Sequence, residues 1–225
     1  MVVAGFFILS TKEYEELSTN ATASLLFFSN KYYALHSSYF DSSSENNFFL
    51  HTWSLSVEWQ FYLIFPIVII IIRKLKTPLF PALVFCWIVS FITMLMLSGH
   101  NQTEVFYSLS TRAWEMISGG LVYAHSSTKV SAKNRPALSY IGILLIIVSI
   151  FTINNNDLWP GANTLIPVFG AVIFIIANNQ NSTIIRNSIF QFIGTISYSW
   201  YLWHWPVIVT NAILQLKIIM YSILL

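Results

Sequence analysis

The chain is 225 residues long, 56% hydrophobic and only 9% charged, with a net charge of +2 and a mean hydropathy of +0.65. Soluble domains carry about 25% charged residues, so this composition excludes an ordinary water-soluble fold, and the small, scattered positive charge argues against a nucleic-acid partner. Apolar runs such as Val68-Ile69-Ile70-Ile71-Ile72 and Ile143-Leu144-Leu145-Ile146-Ile147-Val148 are unbroken rather than alternating, which argues against a β-barrel and predicts an all-α, polytopic transmembrane helix bundle.

Residues 1–10 are apolar but half a span long, with no basic region before them and no small-residue cleavage site after them, so they read as the end of a helix and not as a signal peptide. Complete spans are predicted at 19–35, 52–72, 79–98, 104–124, 137–153, 164–177 and 190–214. That makes seven, with partial spans at 1–10 and 218–225, in a single transmembrane domain over 1–225. Arg73, Lys74 and Lys76 fall in one turn, Lys129, Lys133 and Arg135 in another, and Arg186 in a third. The positive-inside rule places these turns in the cytoplasm and the 36–51 loop outside, as expected for a multi-pass membrane protein in contact with lipid. The single cysteine, Cys86, lies among apolar residues and allows no internal disulfide.

Four clusters carry polar groups where they are expensive. In His51-Thr52-Trp53-Ser54 with Glu58, an i, i+7 spacing puts the imidazole and the carboxylate on one helical face, roughly 10 Å apart. The pair offers a proton acceptor and a group to orient it; the structural alternative is a helix start, with Thr52 or Ser54 as a cap and Glu58 paired elsewhere. In Thr111-Arg112-Ala113-Trp114-Glu115 the charges stand at i, i+3. An internal salt bridge is the favoured reading for Glu115, with Gly119-Gly120 giving close packing; Arg112 can also grip an anionic donor or orient Glu58.

In the stretch from Gly194 to Pro206, hydroxyls, aromatics and His204 can hold a sugar, or form an interfacial girdle around a proline kink. The outer loop Ser42–Asn47 reads as a solvated connection. His36, His100 and His125 read as isolated interfacial histidines. With no HExxH pattern and no cysteine–histidine cluster, no metal site is predicted.

Phe27-Phe28-Ser29-Asn30 with Tyr39-Phe40-Asp41, then Leu50-His51-Thr52-Trp53-Ser54-Leu55-Ser56-Val57-Glu58 with Gln60-Phe61-Tyr62 and Pro66, then Thr111–Glu115, then Gly194–Pro206, follow one another along nearly the whole chain. In that order they resemble the membrane-bound acyltransferase-3 family, such as the O-antigen acetylases of bacterial surface polysaccharides. The resemblance implies transfer of an acyl group, most often acetyl, from cytosolic acyl-CoA (acetyl-CoA) to a sugar hydroxyl of a cell-surface polysaccharide, a lipopolysaccharide or a lipid-linked glycan, with no bound cofactor. His51 and Glu58 are then the catalytic pair, Arg112 a charge partner or donor-binding group, and Trp53, Trp203 and His204 the acceptor lining.

Two positions depart from the family pattern. Trp59 stands where a second glutamate is common, and Phe48-Phe49 replace a proline-containing approach to the histidine. Members usually span the membrane about ten times, and the family's earlier helices, with their histidine and paired arginine motifs, are not found here. The chain is therefore expected to be N-terminally and C-terminally incomplete, or one piece of a split or decayed gene. Two rival functions remain, a transporter or flippase, which predicts an internal repeat that the sequence lacks, and a non-catalytic remnant of an acyltransferase.

Overall fold

The computed structural model of the chain describes residues 1–36, 47–125, 130–154, 157–180 and 182–224. Most of the outer loop, the Tyr39-Phe40-Asp41 triplet and Lys129 lie outside the described residues. Those described are helical, with no strand among them. Among the described residues, three helices are long and apolar enough to cross a membrane, Thr52–Lys74, Leu79–Leu97 and Arg135–Thr152. The chain folds as two compact units, residues 1–60 with 192–225, and residues 61–191.

The first unit begins with helices α1 (Val2–Ile8), α2 (Thr11–Leu25) and α3 (Ser29–His36). Ser10 caps α2 in a capping box with Glu13. The span expected at 19–35 is not one helix, because α2 ends at Leu25 and Phe27 turns left-handed at φ 52°. Phe28 N–H then donates back to Ala23 C=O and Phe27 N–H to Ser24 C=O, the bonding pattern of a Schellman helix end. Phenylalanine in the left-handed region carries a steric penalty. Packing helps to offset it, because the Phe27 ring lies 4.6 Å from the Trp59 ring and its carbonyl accepts a hydrogen bond from Gln60 Nε2 at 3.1 Å.

Gln60 belongs to a polar row on helix α4 (Thr52–Lys74), made of Thr52, Ser56 and Gln60 at i, i+4 and i+8. Thr52 Oγ1 lies 2.7 Å from Ser24 Oγ, Ser56 Oγ lies 2.8 Å from Ser29 Oγ, and Gln60 Nε2 donates to Asn30 Oδ1 at 2.8 Å. Asn30 Nδ2 returns a bond to Gln60 Oε1 at 3.3 Å. Ser29, Asn30 and Ser56 are fully buried. Interhelical polar bonds of this kind contribute about 0.6–2 kcal/mol each in membrane proteins. Gln60→Leu or Asn30→Leu alone should lower thermal stability in detergent by about 1–3 kcal/mol, since each removes the paired amide bonds between the two residues. The double change should cost clearly less than the sum, and strict additivity would show that the two amides do not interact.

The second unit holds the rest of α4, then α5 (Leu79–Leu97), α6 (Gln102–Tyr107), α7 (Leu109–Ala124), α8 (Arg135–Thr152), a 3₁₀ turn (Ala162–Thr164), α9 (Leu165–Ala177) and α10 (Thr183–Arg186). The stretch expected at 104–124 is broken at Ser108 into α6 and α7. In the same way, 190–214 and the 218–225 tail run together in one helix, α11 (Ser188–Leu224).

α5 packs on α7 and α8 on α9. The first pair is organised by Trp114, fully buried, with edge contacts to Trp87 and Phe91 at 5.8 and 5.1 Å between ring centroids. Ser90 Oγ stands between two backbone groups of α7, accepting from Trp114 N–H at 3.0 Å and donating to Ser110 C=O at 2.7 Å. In the second pair, Gly142 and Gly170 meet so closely that a Cβ on Gly142 would lie 2.6 Å from the Gly170 carbonyl oxygen.

Candidate active site

His51 sits in the turn just ahead of α4 and is 8% exposed. Neither Nδ1 nor Nε2 has a hydrogen-bond partner, an arrangement that native proteins rarely keep without a purpose. Burial pushes its pKa down to about 4, helped by the neighbouring His204 and weakly opposed by the Leu202 backbone. Pro206 has no N–H to occupy the Leu202 carbonyl in α11. His51 is therefore neutral at physiological pH, with one bare nitrogen and one N–H, both buried and neither in a well-formed hydrogen bond, the Leu202 carbonyl acting on the ring only weakly.

α11 supplies the other wall. Tyr201 Oη donates to the His51 carbonyl, and Ser54 Oγ lies 2.6 Å from that same hydroxyl. Because the tyrosine proton goes to His51, Ser54 is the donor in the second bond. Tyr201 thus ties the start of α4 to α11 from 150 residues away. Its main chain also orients His204, whose Nδ1 lies 2.6 Å from Tyr201 C=O. A carbonyl only accepts, so Nδ1 carries the proton and, in the neutral ring, Nε2 is bare. The His51 ring stands 5.5 Å from His204 and 5.4 Å from Tyr201, centroid to centroid. Trp205 Nε1 donates to Asn47 C=O at 2.8 Å and so closes the rim.

These groups line a cleft of about 290 Å³ formed by Leu50, His51, Trp53, Ser54, Tyr201, His204 and Trp205. Its size is at the lower end of small-molecule sites, about 300–1,000 Å³. An apolar, aromatic lining with a few convergent polar atoms suits one polar group on a ring that stacks.

Of the residues expected to act together, the structure brings His51, Trp53 and His204 into this cleft. Glu58 does not join them. It lies farther along α4, exposed, and makes no hydrogen bond or ion pair among the described residues. Trp203 is 62% exposed and is not part of the lining. Thr52 and Ser54, the caps of the structural alternative, donate their hydroxyls instead, Thr52 to the Phe49 carbonyl at 2.7 Å and Ser54 to Tyr201.

Arg112 lies in the second unit, where its Nη2 meets Glu115 Oε2 at 2.9 Å in the internal salt bridge that the spacing predicted. Its guanidinium also stands 5.9 Å over the Phe106 ring. Sequence reasoning missed Tyr201 and Ser54 as organisers of the site. Their only sequence signal was membership in two motifs whose proximity no local pattern reveals.

Comparison with known proteins gives these motifs a frame. A peptidoglycan O-acetyltransferase of Listeria monocytogenes, OatA, is 30% identical over 224 residues, covering 90% of this chain and 36% of that protein. A Bacillus subtilis protein provisionally named a peptidoglycan O-acetyltransferase, YrhL, is 26% identical over 216 residues, covering 87% and 34%. One from Komagataeibacter xylinus, provisionally named a membrane-bound transacylase, BcsY, is 27% identical over 207 residues, covering 90% and 53%. The chain thus spans about a third to a half of the length of these relatives. No solved structure matches it. The model of the acyltransferase-3 family, described as an acyltransferase domain, matches residues 2–221. The His51 and His204 motifs that build the cleft both fall inside that match, and the chain belongs to the acyltransferase-3 family.

Proposed function

We propose that the protein is a multi-pass membrane O-acyltransferase that moves an acyl group, most simply acetyl from acetyl-CoA, onto a hydroxyl of a bacterial envelope glycan. The observation that carries this reading is the buried, neutral His51 with two unpaired nitrogens, set against His204 in an aromatic cleft. Acyl transfer to an alcohol needs a base for the hydroxyl proton and a donor for the developing oxyanion. Two imidazoles at this spacing supply both.

Trp53 offers a face on which the acceptor sugar stacks. Trp203 belongs to the outer approach to the cleft. Glu58, farther along α4, is the carboxylate available for a cationic partner or a bound hydroxyl, and Arg112 is the cation for an anionic donor. The names of the Listeria and Bacillus relatives support peptidoglycan as the acceptor class; surface polysaccharide or lipopolysaccharide would present the same hydroxyl chemistry. The basic turn Arg73–Lys76 supports a cytoplasmic face at that end of α4 in the plasma membrane.

The test is acyl incorporation. Membranes containing the chain, given radiolabelled acetyl-CoA, should place base-labile label on envelope glycan above the level of membranes without it. Equal label in both, with the chain present in normal amount, overturns the reading.

A further inference from the structure

We infer that the two histidines divide the work, His204 Nε2 receiving the proton of the acceptor hydroxyl and the His51 N–H holding the oxyanion. This rests on the acyl-transfer reading and deepens it. The division follows from the bonds already made. His204 has spent its only N–H on Tyr201 C=O, so its remaining nitrogen can accept and cannot donate. His51 makes no well-formed hydrogen bond from either buried nitrogen, so the imidazole N–H least committed to a partner is on His51.

The charge that appears when a proton is taken up also favours His204. His51 is nearly fully buried, and its ring has only the weak influence of the Leu202 carbonyl to support a positive charge, whereas His204 is partly exposed and already donates from Nδ1 to a carbonyl. That bond becomes charge-assisted on protonation and roughly doubles in strength. Tyr201 is the positioning residue for both rings, through its carbonyl for His204 and through its hydroxyl for the His51 main chain.

The step balances. The acceptor oxygen forms a bond to the acyl carbon as its proton passes to His204 Nε2, and the carbonyl electron pair moves onto the oxygen that faces the His51 N–H. Collapse of the adduct restores the carbonyl and breaks the bond to the leaving group. With an acyl thioester as donor, the thiolate departs and takes the proton from Nε2.

Glutamine separates the two roles, because its amide N–H can replace a donor but cannot replace a base. In membranes containing the full chain, His51→Gln should keep acetyl transfer within about tenfold of the parent. His204→Gln should lose about 10²-fold or more, in kcat and not in KM, with abundance and melting temperature unchanged for both. Reversed sensitivities, equal losses or two fully active variants would each overturn the division while leaving the acyl-transfer reading in place. A parent chain that transfers nothing would remove the reading itself. A second measurement is independent of turnover. 15N NMR of the neutral His204 ring should show Nδ1 protonated and Nε2 bare, in the parent and in Tyr201→Phe, which keeps the carbonyl; the opposite tautomer overturns the assignment.

Discussion

His51→Ala should reduce acyl transfer by about 10²-fold or more, the loss that follows removal of one preorganised donor at a developing oxyanion. Alanine removes both unpaired nitrogens from a site whose remaining donors are committed. Ser54 Oγ and Tyr201 Oη bond to each other, Tyr201 also holds the His51 carbonyl, and Trp205 Nε1 holds Asn47 C=O. No neighbouring donor is free to move in. The His51 carbonyl is main chain and survives the change, so the tie to Tyr201 should persist and the fold with it. The measurement is initial rate of label transfer alongside melting temperature. A full rate with an unchanged melting temperature would remove His51 from the chemistry, whereas a large fall in melting temperature would place the residue in the scaffold.

The second large effect is structural. Gly142→Val should destabilise the α8–α9 pair by about 3 kcal/mol or more, the upper part of the range for overpacking. A new Cβ at 142 meets the Gly170 carbonyl oxygen at 2.6 Å and the Phe174 amide nitrogen at 2.9 Å. Both are backbone atoms, which cannot swing aside as a side chain does. The contact is mutual, since a Cβ at 170 meets the Gly142 carbonyl oxygen at 2.8 Å, so Gly170→Val should behave alike. Gly119→Ala is the control, because nothing stands within 4 Å of its Cβ position. Equal melting temperatures for Gly142→Val and the parent would show that the two helices have room to part.

Composition and unbroken apolar runs together carried the all-helical class, because a chain this apolar must satisfy its own backbone and alternation is what a barrel would show. It could not carry the span count. Hydropathy averages over a window, and a single left-handed residue such as Phe27 leaves that average untouched while ending a helix. The same blindness hid the break at Ser108 and the union of 190–214 with the tail.

At the site, the two motifs were legible one by one, and their meeting was not. His51 and His204 are far apart in sequence and come together through a tyrosine hydroxyl that bonds a main-chain carbonyl, a contact with no sequence period. The i, i+7 argument for Glu58 assumed that His51 lies on the helix. His51 precedes the first helical residue, Thr52, so its ring turns toward α11 while Glu58 stays on the surface of α4. The row of Thr52, Ser56 and Gln60 was readable as a period of four, although its partners were not.

Ser90 gives the α5–α7 pair a property that apolar packing alone does not provide. Its hydroxyl completes a hydrogen bond between two backbone groups one turn apart on α7, so it acts as an index pin for the helix. Each residue of an α-helix advances the azimuth by about 100°. A slip of one residue along α7 would therefore break both of Ser90's bonds and swing the Arg112–Glu115 couple through more than a quarter of a revolution. A serine on α5 thereby sets the compass bearing of a charge pair on α7, with no charge of its own.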